Sequence, residues 1–141
     1  MSGGRPRLYI DENLPHQLAG ALSKAFKRPI FRSHMEEHLT GVLDLPLFNE
    51  LHRRRFDVII TKDLAQSHVI DERDGLRDAG LHWVGVREPK SARGLEFYSS
   101  VVSSIAASMP FVLERFQQPP HAFFVECESL KWNRPIHNEP L

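Results

Sequence analysis

The sequence predicts a three-layer α/β/α sandwich with a mostly parallel central sheet. Short apolar segments alternate with one-sided helical patterns in the order β-α-β-α-β-α-β-α-β, which is typical of such a sandwich. Residues 56–61 form a largely apolar run, as expected for a strand that helices cover on both faces. A chain of 141 residues with 41% hydrophobic content fits a single domain, which we expect over residues 1–129, followed by an extended tail over 130–141.

The first strand leads directly into the first helix. Residues 8–10 are apolar and end at Asp11, which opens a short polar cluster. Over residues 14–26 the apolar positions recur at the spacing of a one-sided helix. Asn13 is a suitable N-cap for this helix, and Pro15 is tolerated in its first turn.

A second strand, a second helix and a third strand follow. Residues 29–33 have strand composition, whereas residues 34–41 are polar and have no period. Asp44 opens a helix whose last turn carries three arginines, where positive charge suits the helix dipole. The apolar strand over 56–61 comes next and is followed by Asp63.

The last third of the domain predicts two more strands and two more helices. Residues 64–78 are polar and indicate one short helix with loops, and residues 81–86 form the next strand. An apolar face over 95–109 predicts a long helix, which Pro110 kinks or restarts. Residues 122–127 are the expected final strand.

The charge balance excludes a protein that binds nucleic acid through its overall field. The chain has 18 basic and 18 acidic residues, so an RNA site must be a local patch. The single Cys127 cannot form an internal disulfide, which fits a reducing cytoplasm. The short apolar runs and the polar start predict neither a membrane span nor a secretory signal. Basic residues available for a local patch are Arg28, Arg32, Arg53, Arg54, Arg55, Lys62, Arg87, Lys90 and Arg93.

Three acidic residues are expected at one edge of the sheet. Asp11 and Asp63 each follow an apolar strand, and Asp44 begins the helix that leads back into the sheet. Carboxylates at close range raise one another's pKa, and a bound divalent cation is the simplest way to keep them ionised. Mg²⁺ or Mn²⁺ prefers such oxygen ligands and can activate a water for attack on a phosphodiester.

Each of these acids also has a local structural explanation. Aspartate is among the best N-cap residues, so Asp44 and Asp63 could serve only to satisfy N–H groups at helix starts. This explanation does not account for acids after both strands that flank the expected crossover. Metal binding is therefore the preferred interpretation of the set.

Three segments of the chain resemble the PIN-like domains of the VapC toxin kind. They are LYIDENL over residues 8–14, the helix that Asp44 opens with Leu47 and Phe48, and VIITKD over residues 58–63. The likeness covers about residues 7–88. It implies a Mg²⁺- or Mn²⁺-dependent endoribonuclease that acts as the toxin of a type II toxin-antitoxin pair and is inhibited by a protein antitoxin.

The resemblance also implies roles for individual residues. Asp11, Asp44 and Asp63 would be the catalytic, metal-binding acids. Asn13 and Thr61 would support them, Thr61 by orienting the turn around Asp63. Relatives commonly carry a further acid where Ala65 stands, so the fourth ligand is left open among Glu12, Asp71, Glu72 and Asp74.

Two cations and one helix face are candidates for binding partners. Lys62 and Arg87 are expected near the acidic edge, where a cation can meet an RNA phosphate. The second face of the long helix, with Phe97 and Phe111, could serve a homodimer or the antitoxin together with Trp132 from the tail.

Three rival functions have weaker sequence support. His34-Met35-Glu36-Glu37-His38 matches the H-x-x-E-H pattern of zinc metallopeptidases, but it lies in a polar stretch without a long helix. A phosphoacceptor receiver would carry its lysine after a much later strand than Lys62. A non-catalytic module with the same fold is the strongest rival, because Ala65 leaves the acid set incomplete.

Overall fold

Five strands and four α-helices alternate in the computed structural model, which describes residues 4–90, 92–127 and 138–141. Bounds of the elements, in chain order, are β1 (Arg7–Ile10), α1 (Leu18–Ala25), β2 (Ile30–Ser33), α2 (Asp44–Arg53), β3 (Val58–Thr61), α3 (Ile70–Asp78), β4 (His82–Arg87), α4 (Gly94–Leu113) and β5 (Ala122–Glu126). A short 3-10 helix (Leu64–Ser67) joins β3 to α3. The predicted tail over 130–141 lies mostly outside the described residues, which resume at Asn138, and Trp132 lies outside them altogether.

All strand pairs of the sheet are parallel, and their order is β2-β1-β3-β4-β5. β1 therefore lies between β2 and β3, and the chain reverses its direction of travel across the sheet at this point. β3 is buried at all four positions, as its apolar composition predicts. The predicted α/β fold class is confirmed, with a sheet that is wholly rather than mostly parallel.

Two apolar cores cover the two faces of the sheet. On one face α1 and α4 pack against β1, β3 and β4, with Leu18, Leu22 and Ile105 fully or almost fully buried. On the other face α2 and α3 pack against the same strands through side chains such as Phe48 and Leu76. The molecule is thus a three-layer sandwich held by hydrophobic burial on both sides.

The start of α1 differs from the sequence prediction. The helix begins at Leu18 with Gln17 as N-cap, so the prediction of Asn13 as the N-cap was wrong. The Asn13 side chain instead contacts Thr61 and the backbone of Lys62. The Asn13 side chain is therefore hydrogen-bonded to Thr61 at the end of β3 and does not cap α1.

Helix α4 is a single helix from Gly94 to Leu113 with Pro110 inside it, so of the two alternatives predicted at this proline, a kink or a restart, the restart was wrong. Pro110 lies close to the carboxyl end of the helix, so the backbone hydrogen bond that it cannot donate is missing from the last turns. By length and composition alone α4 could span a membrane. Its apolar stripe, including Val101, Ile105 and Met109, is buried against the sheet.

Candidate functional site

The three predicted acids lie at the carboxyl edge of the sheet, beside the point where the strand order reverses. Asp11 directly follows β1, Asp63 follows β3 by one residue, and Asp44 is the first residue of α2. Open α/β sheets bind ligands at this position. The placement follows from parallel strands alone, because their carboxyl ends all lie at one edge.

Asp11 is a buried carboxylate that is hydrogen-bonded through both oxygens. Asp11 is only 5% exposed to solvent. Oδ1 accepts from the backbone N–H of Glu12 at 2.9 Å, and Oδ2 accepts from the Thr61 hydroxyl at 2.8 Å. Burial raises the pKa of Asp11 and nearby Asp44 adds to the rise, although the hydrogen bonds partly oppose it.

Gln66 connects Asp11 to Asp44. Its Nε2 donates to Asp44 Oδ1 at 2.9 Å and lies 3.4 Å from Asp11 Oδ2. Its Oε1 accepts from the indole N–H of Trp83 at 3.3 Å, which leaves the amide nitrogen facing the acids. Gln66 is 1% exposed. Its buried amide group therefore provides a neutral hydrogen-bond donor to the carboxylates of Asp11 and Asp44.

The position of Trp83 depends on a glycine two residues later in the same strand. A Cβ on Gly85 would lie 1.8 Å from Cη2 of the Trp83 ring, which no side chain could tolerate. The absence of a side chain at Gly85 lets the indole lie over the strand and present its N–H to Gln66. The sequence analysis missed both Gln66 and this support.

The local explanation fits Asp63 better than Asp44. Oδ1 of Asp63 accepts from the backbone N–H of Ala65 at 3.1 Å and so caps the 3-10 helix. Asp44 makes no such cap, because the N-cap of α2 is Leu43. The carboxylate of Asp44 is therefore directed to the site, where Gln66 and Glu72 contact it.

Glu72 is the acid that the structure adds to this group. Burial raises its pKa, and a hydrogen bond with Asp44 and the charges of Asp63 and Asp71 raise it further. A hydrogen bond between two carboxyl groups needs a proton on one of them, which is consistent with the raised pKa of Glu72. We name Asp11, Asp44, Asp63 and Glu72 the acid cluster.

The other candidates for a fourth acid have different contacts. Oε2 of Glu12 accepts from the backbone N–H of Gly41 at 2.8 Å, so it braces a loop. Asp74 forms an ion pair with Arg77 at 3.3 Å. Asp71 acts on Glu72 only through its charge. Spacing alone could not make this choice, because it depends on which face of α3 is turned toward the sheet.

Asn13 and Thr61 hold the two strand ends together. Thr61 accepts from the Asn13 amide at 3.1 Å and from the Asp63 backbone N–H at 3.0 Å. The Asn13 Oδ1 accepts from the backbone N–H of Lys62 at 3.1 Å. These bonds orient the turn that carries Asp63, which is the geometry that the sequence interpretation expects of Thr61.

The two predicted RNA-binding cations lie at the same edge, each beside a carboxylate outside the acid cluster. Lys62 Nζ is 2.8 Å from Glu88, and Arg87 Nε is 3.5 Å from Glu126. Both pairs are partly or largely exposed to solvent, where ion pairs are weak and exchange readily. Both cations are therefore accessible from solvent.

The H-x-x-E-H segment does not form a helix, so His34 and His38 do not share a helical face. Nδ1 of His34 lies 2.8 Å from the Thr40 hydroxyl. Glu37, the residue that would activate water, instead pairs with Arg32 and Arg54. The geometry expected of a zinc peptidase is missing here.

No group of three or more His, Cys, Asp or Glu side chains is arranged to hold a metal ion within the part of the chain that the structure describes. The Gln66 amide lies between Asp11 and Asp44 instead. The chemistry of the donors nevertheless suits Mg²⁺ or Mn²⁺, since carboxylates with raised pKa values gain most from a hard cation.

Comparison with protein-family models finds no match for this chain, and comparisons with curated proteins and with solved structures find none either. What can be concluded about function therefore depends on the residues and the geometry of the site.

Proposed function

We propose that the protein is a metal-dependent endoribonuclease that hydrolyses RNA phosphodiesters, and that it is the cytoplasmic toxin of a type II toxin-antitoxin pair. The observation that supports the proposal is the acid cluster, in which the buried carboxylate of Asp11 and the partly buried carboxylate of Asp44 share one amide donor at the switch point of the sheet. Folding such a group together is unfavourable without a counter-charge, so it indicates a site kept for function.

The acids have distinct expected roles. Asp11 and Asp44 would hold Mg²⁺ or Mn²⁺, with Asp63 as the third ligand carried by the Thr61 turn. When bound, the cation supplies charge neutralisation and an acidified water. Glu72 would accept the proton of the attacking water, because it lies beside Asp44 and its raised pKa makes its carboxylate a stronger base than a free glutamate.

The predicted cations complete the proposed substrate site. Lys62 follows β3 directly, and Arg87 is the last residue of the neighbouring strand β4. An RNA phosphate that reaches this edge would displace the exposed carboxylates Glu88 and Glu126 from them. Positive charge at the rim then compensates the phosphates that the acids themselves would repel.

Cleavage of a labelled RNA oligonucleotide by purified protein in Mn²⁺ tests the proposal. Asp11→Asn should reduce the rate by at least about 100-fold, because it removes the most buried acid of the cluster. Asp78→Asn is the matched control, since Asp78 is an exposed acid on α3 that pairs with Arg77. Growth arrest on expression, relieved by the neighbouring reading frame, would separate a toxin from an RNA-processing enzyme.

The second candidate is a non-catalytic module of the same fold that binds nucleic acid or protein through this edge. Two observations favour it: the Gln66 amide already satisfies Asp11 and Asp44, and Ala65 supplies no acid. Lack of cleavage by the parent protein, freed of any partner, or equal cleavage by the parent and Asp11→Asn would support the module.

A further inference from the structure

His82 is a buried titratable side chain that takes no part in the acid cluster. It is the first residue of β4 and is only 1% exposed. Its ring contacts residues 114–121, which join α4 to β5 and which we name the α4–β5 loop. Nε2 donates to the backbone oxygen of Phe116 at 2.9 Å, and Nδ1 accepts from the backbone N–H of His121 at 3.1 Å. One imidazole ring therefore fastens two separate parts of the loop to the sheet.

These two backbone partners fix the protonation state of the ring. A backbone carbonyl can only accept a hydrogen bond, and a backbone N–H can only donate one. The bonds to Phe116 and His121 are therefore made together only by the neutral imidazole that carries its proton on Nε2. A second proton on Nδ1 would point at the N–H of His121, so the charged ring cannot keep that bond.

The surroundings of the ring also favour its neutral form. Burial lowers the pKa of His82, and the charge of His121, whose ring stacks on it with 6.2 Å between the centroids, lowers the pKa further. The backbones of Phe116 and Gln118 and the carboxylate of Asp57, which precedes β3, act in the opposite direction. They do not outweigh burial, so the folded protein takes up this proton less readily than a hydrated histidine does.

The α4–β5 loop contributes little buried surface of its own. Each of its residues, 114–121, is exposed or half-buried, and none of them belongs to either apolar core. A segment of this kind opens at a smaller cost in free energy than the core, which stays folded meanwhile. The bonds to His82 therefore carry a large share of what holds the loop on the sheet.

The loop also borders a residue that supports the acid cluster. Pro120 and His121 line the same small pocket as Trp83, which is 1% exposed. The backbone N–H of Trp83 donates to the oxygen of His121 at 3.0 Å, and its indole N–H donates to Gln66. Displacement of the loop would open this pocket to solvent beside Trp83.

We propose that His82 is a pH-sensitive latch, whose protonation releases the α4–β5 loop from β4 while the rest of the sheet stays folded. The inference does not depend on the proposed nuclease function. With the loop open the ring is hydrated and binds a proton near the ordinary histidine pKa of about 6.5. The latch therefore holds fully above this pH. Below it each pH unit favours the open loop by up to about 10-fold, because the closed loop excludes the proton that the open loop binds.

Amide hydrogen exchange of the full chain, followed by NMR between pH 5 and pH 8, measures the opening directly. The backbone N–H of His121 is the reporter, because its hydrogen bond ends on Nδ1 of His82. After correction for the intrinsic exchange rate, its opening constant should be flat above about pH 7 and rise by up to about 10-fold per unit below about pH 6.5. The amide of Ile59, in the buried centre of β3, should keep its protection over the same range.

Two variants and two controls assign the effect to His82. His82→Asn keeps an acceptor near the position of Nδ1 but cannot be protonated, so the exchange of the His121 amide should lose its dependence on acid. His82→Gln keeps a donor for Phe116 and removes that acceptor, so the amide should exchange faster at every pH. His121→Gln should retain the dependence. So should His52→Asn, since His52 contacts the Ala79 oxygen away from the loop.

Three results would overturn the latch. The first is an opening constant for the His121 amide that stays the same from pH 8 to pH 5. The second is opening of this amide only together with that of Ile59, which would mean global unfolding. The third is an acid dependence that persists in folded His82→Asn or disappears in His121→Gln. Circular dichroism at pH 8 verifies the fold of each variant, and the profile of the parent protein decides the matter if His82→Asn does not fold.

Discussion

Two clusters of charged side chains, one at the carboxyl edge of the sheet and one between β2 and the end of α2, have opposite electrostatics. In the acid cluster, carboxylates face one another and a neutral amide, and the pKa values of Asp11 and Glu72 are raised, first by burial. In the second cluster every carboxylate faces a guanidinium. We name it the arginine-glutamate network, formed by Arg32, Glu36, Glu37, Glu50, Arg53 and Arg54.

The network lowers the pKa values of its acids. Burial by itself would raise the pKa of Glu37, but hydrogen bonds from Arg32 and Arg54 outweigh it and lower the pKa. Hydrogen bonds from Arg53 and Arg54 lower the pKa of Glu50 to about 2. The glutamates of the two clusters therefore differ in the direction of their pKa shift because their neighbours differ in charge. The network ties β2 to α2, whereas no cation among the residues that the structure describes forms an ion pair with the acid cluster.

Metal binding should show the largest difference between the two clusters. Mn²⁺ at about 100 times its dissociation constant should stabilise the parent by about 2.7 kcal/mol, because it binds the folded state alone. Thermal melting with and without Mn²⁺ measures this gain. Asp44→Asn should lose it and Glu37→Gln should keep it; an equal gain in both variants would place the metal elsewhere.

Breaking the network should cost stability. Glu37→Gln leaves Arg32 and Arg54 without their shared carboxylate, whose side chain is only 10% exposed. We expect a loss of about 1–3 kcal/mol in the free energy of unfolding, measured with urea, from the loss of charged hydrogen bonds. Unchanged stability would show that the network does not fasten β2 to α2.

Removing a charge from the acid cluster should raise the free energy of unfolding rather than lower it. Asp11→Asn should raise the stability of the metal-free protein at neutral pH by about 1 kcal/mol, or a few degrees in Tm, since the ionised carboxylate is buried without a cation.

The pH dependence of that gain follows from the raised pKa of Asp11. Because the folded pKa lies above the unfolded one, ionised Asp11 lowers stability as pH rises through the folded pKa, and the penalty disappears on acidification. The gain from Asp11→Asn should therefore shrink at mildly acid pH. A gain that grows on acidification would contradict the direction of the shift.

The exposed end of the network should contribute least. Arg53→Gln removes an ion pair with Glu50 in which the arginine side chain is 72% exposed. Such pairs exchange with solvent, so we expect no measurable change in the unfolding midpoint. A clear loss would mean that Arg53 supports Glu50 in its contact with Arg54.

The fold and the three strand-edge acids could be predicted from local patterns. Apolar periodicity predicted every strand and the α2 start at Asp44, because each depends on residues near in sequence. That Asn13 would not cap α1 could not be predicted, since its amide binds Thr61, 48 residues away. The same limit applies to Glu72, whose contact with Asp44 depends on the packing of α3 against α2.

The order of strands and helices alone determined that Asp11, Asp44 and Asp63 share one edge, because parallel strands end on the same side. The tertiary structure decided what lies between them. Gln66 reaches the acids only because Gly85 leaves room for Trp83, whose indole holds the amide in place. Such contacts depend on the direction of buried side chains from three elements, and packing sets those directions rather than local sequence.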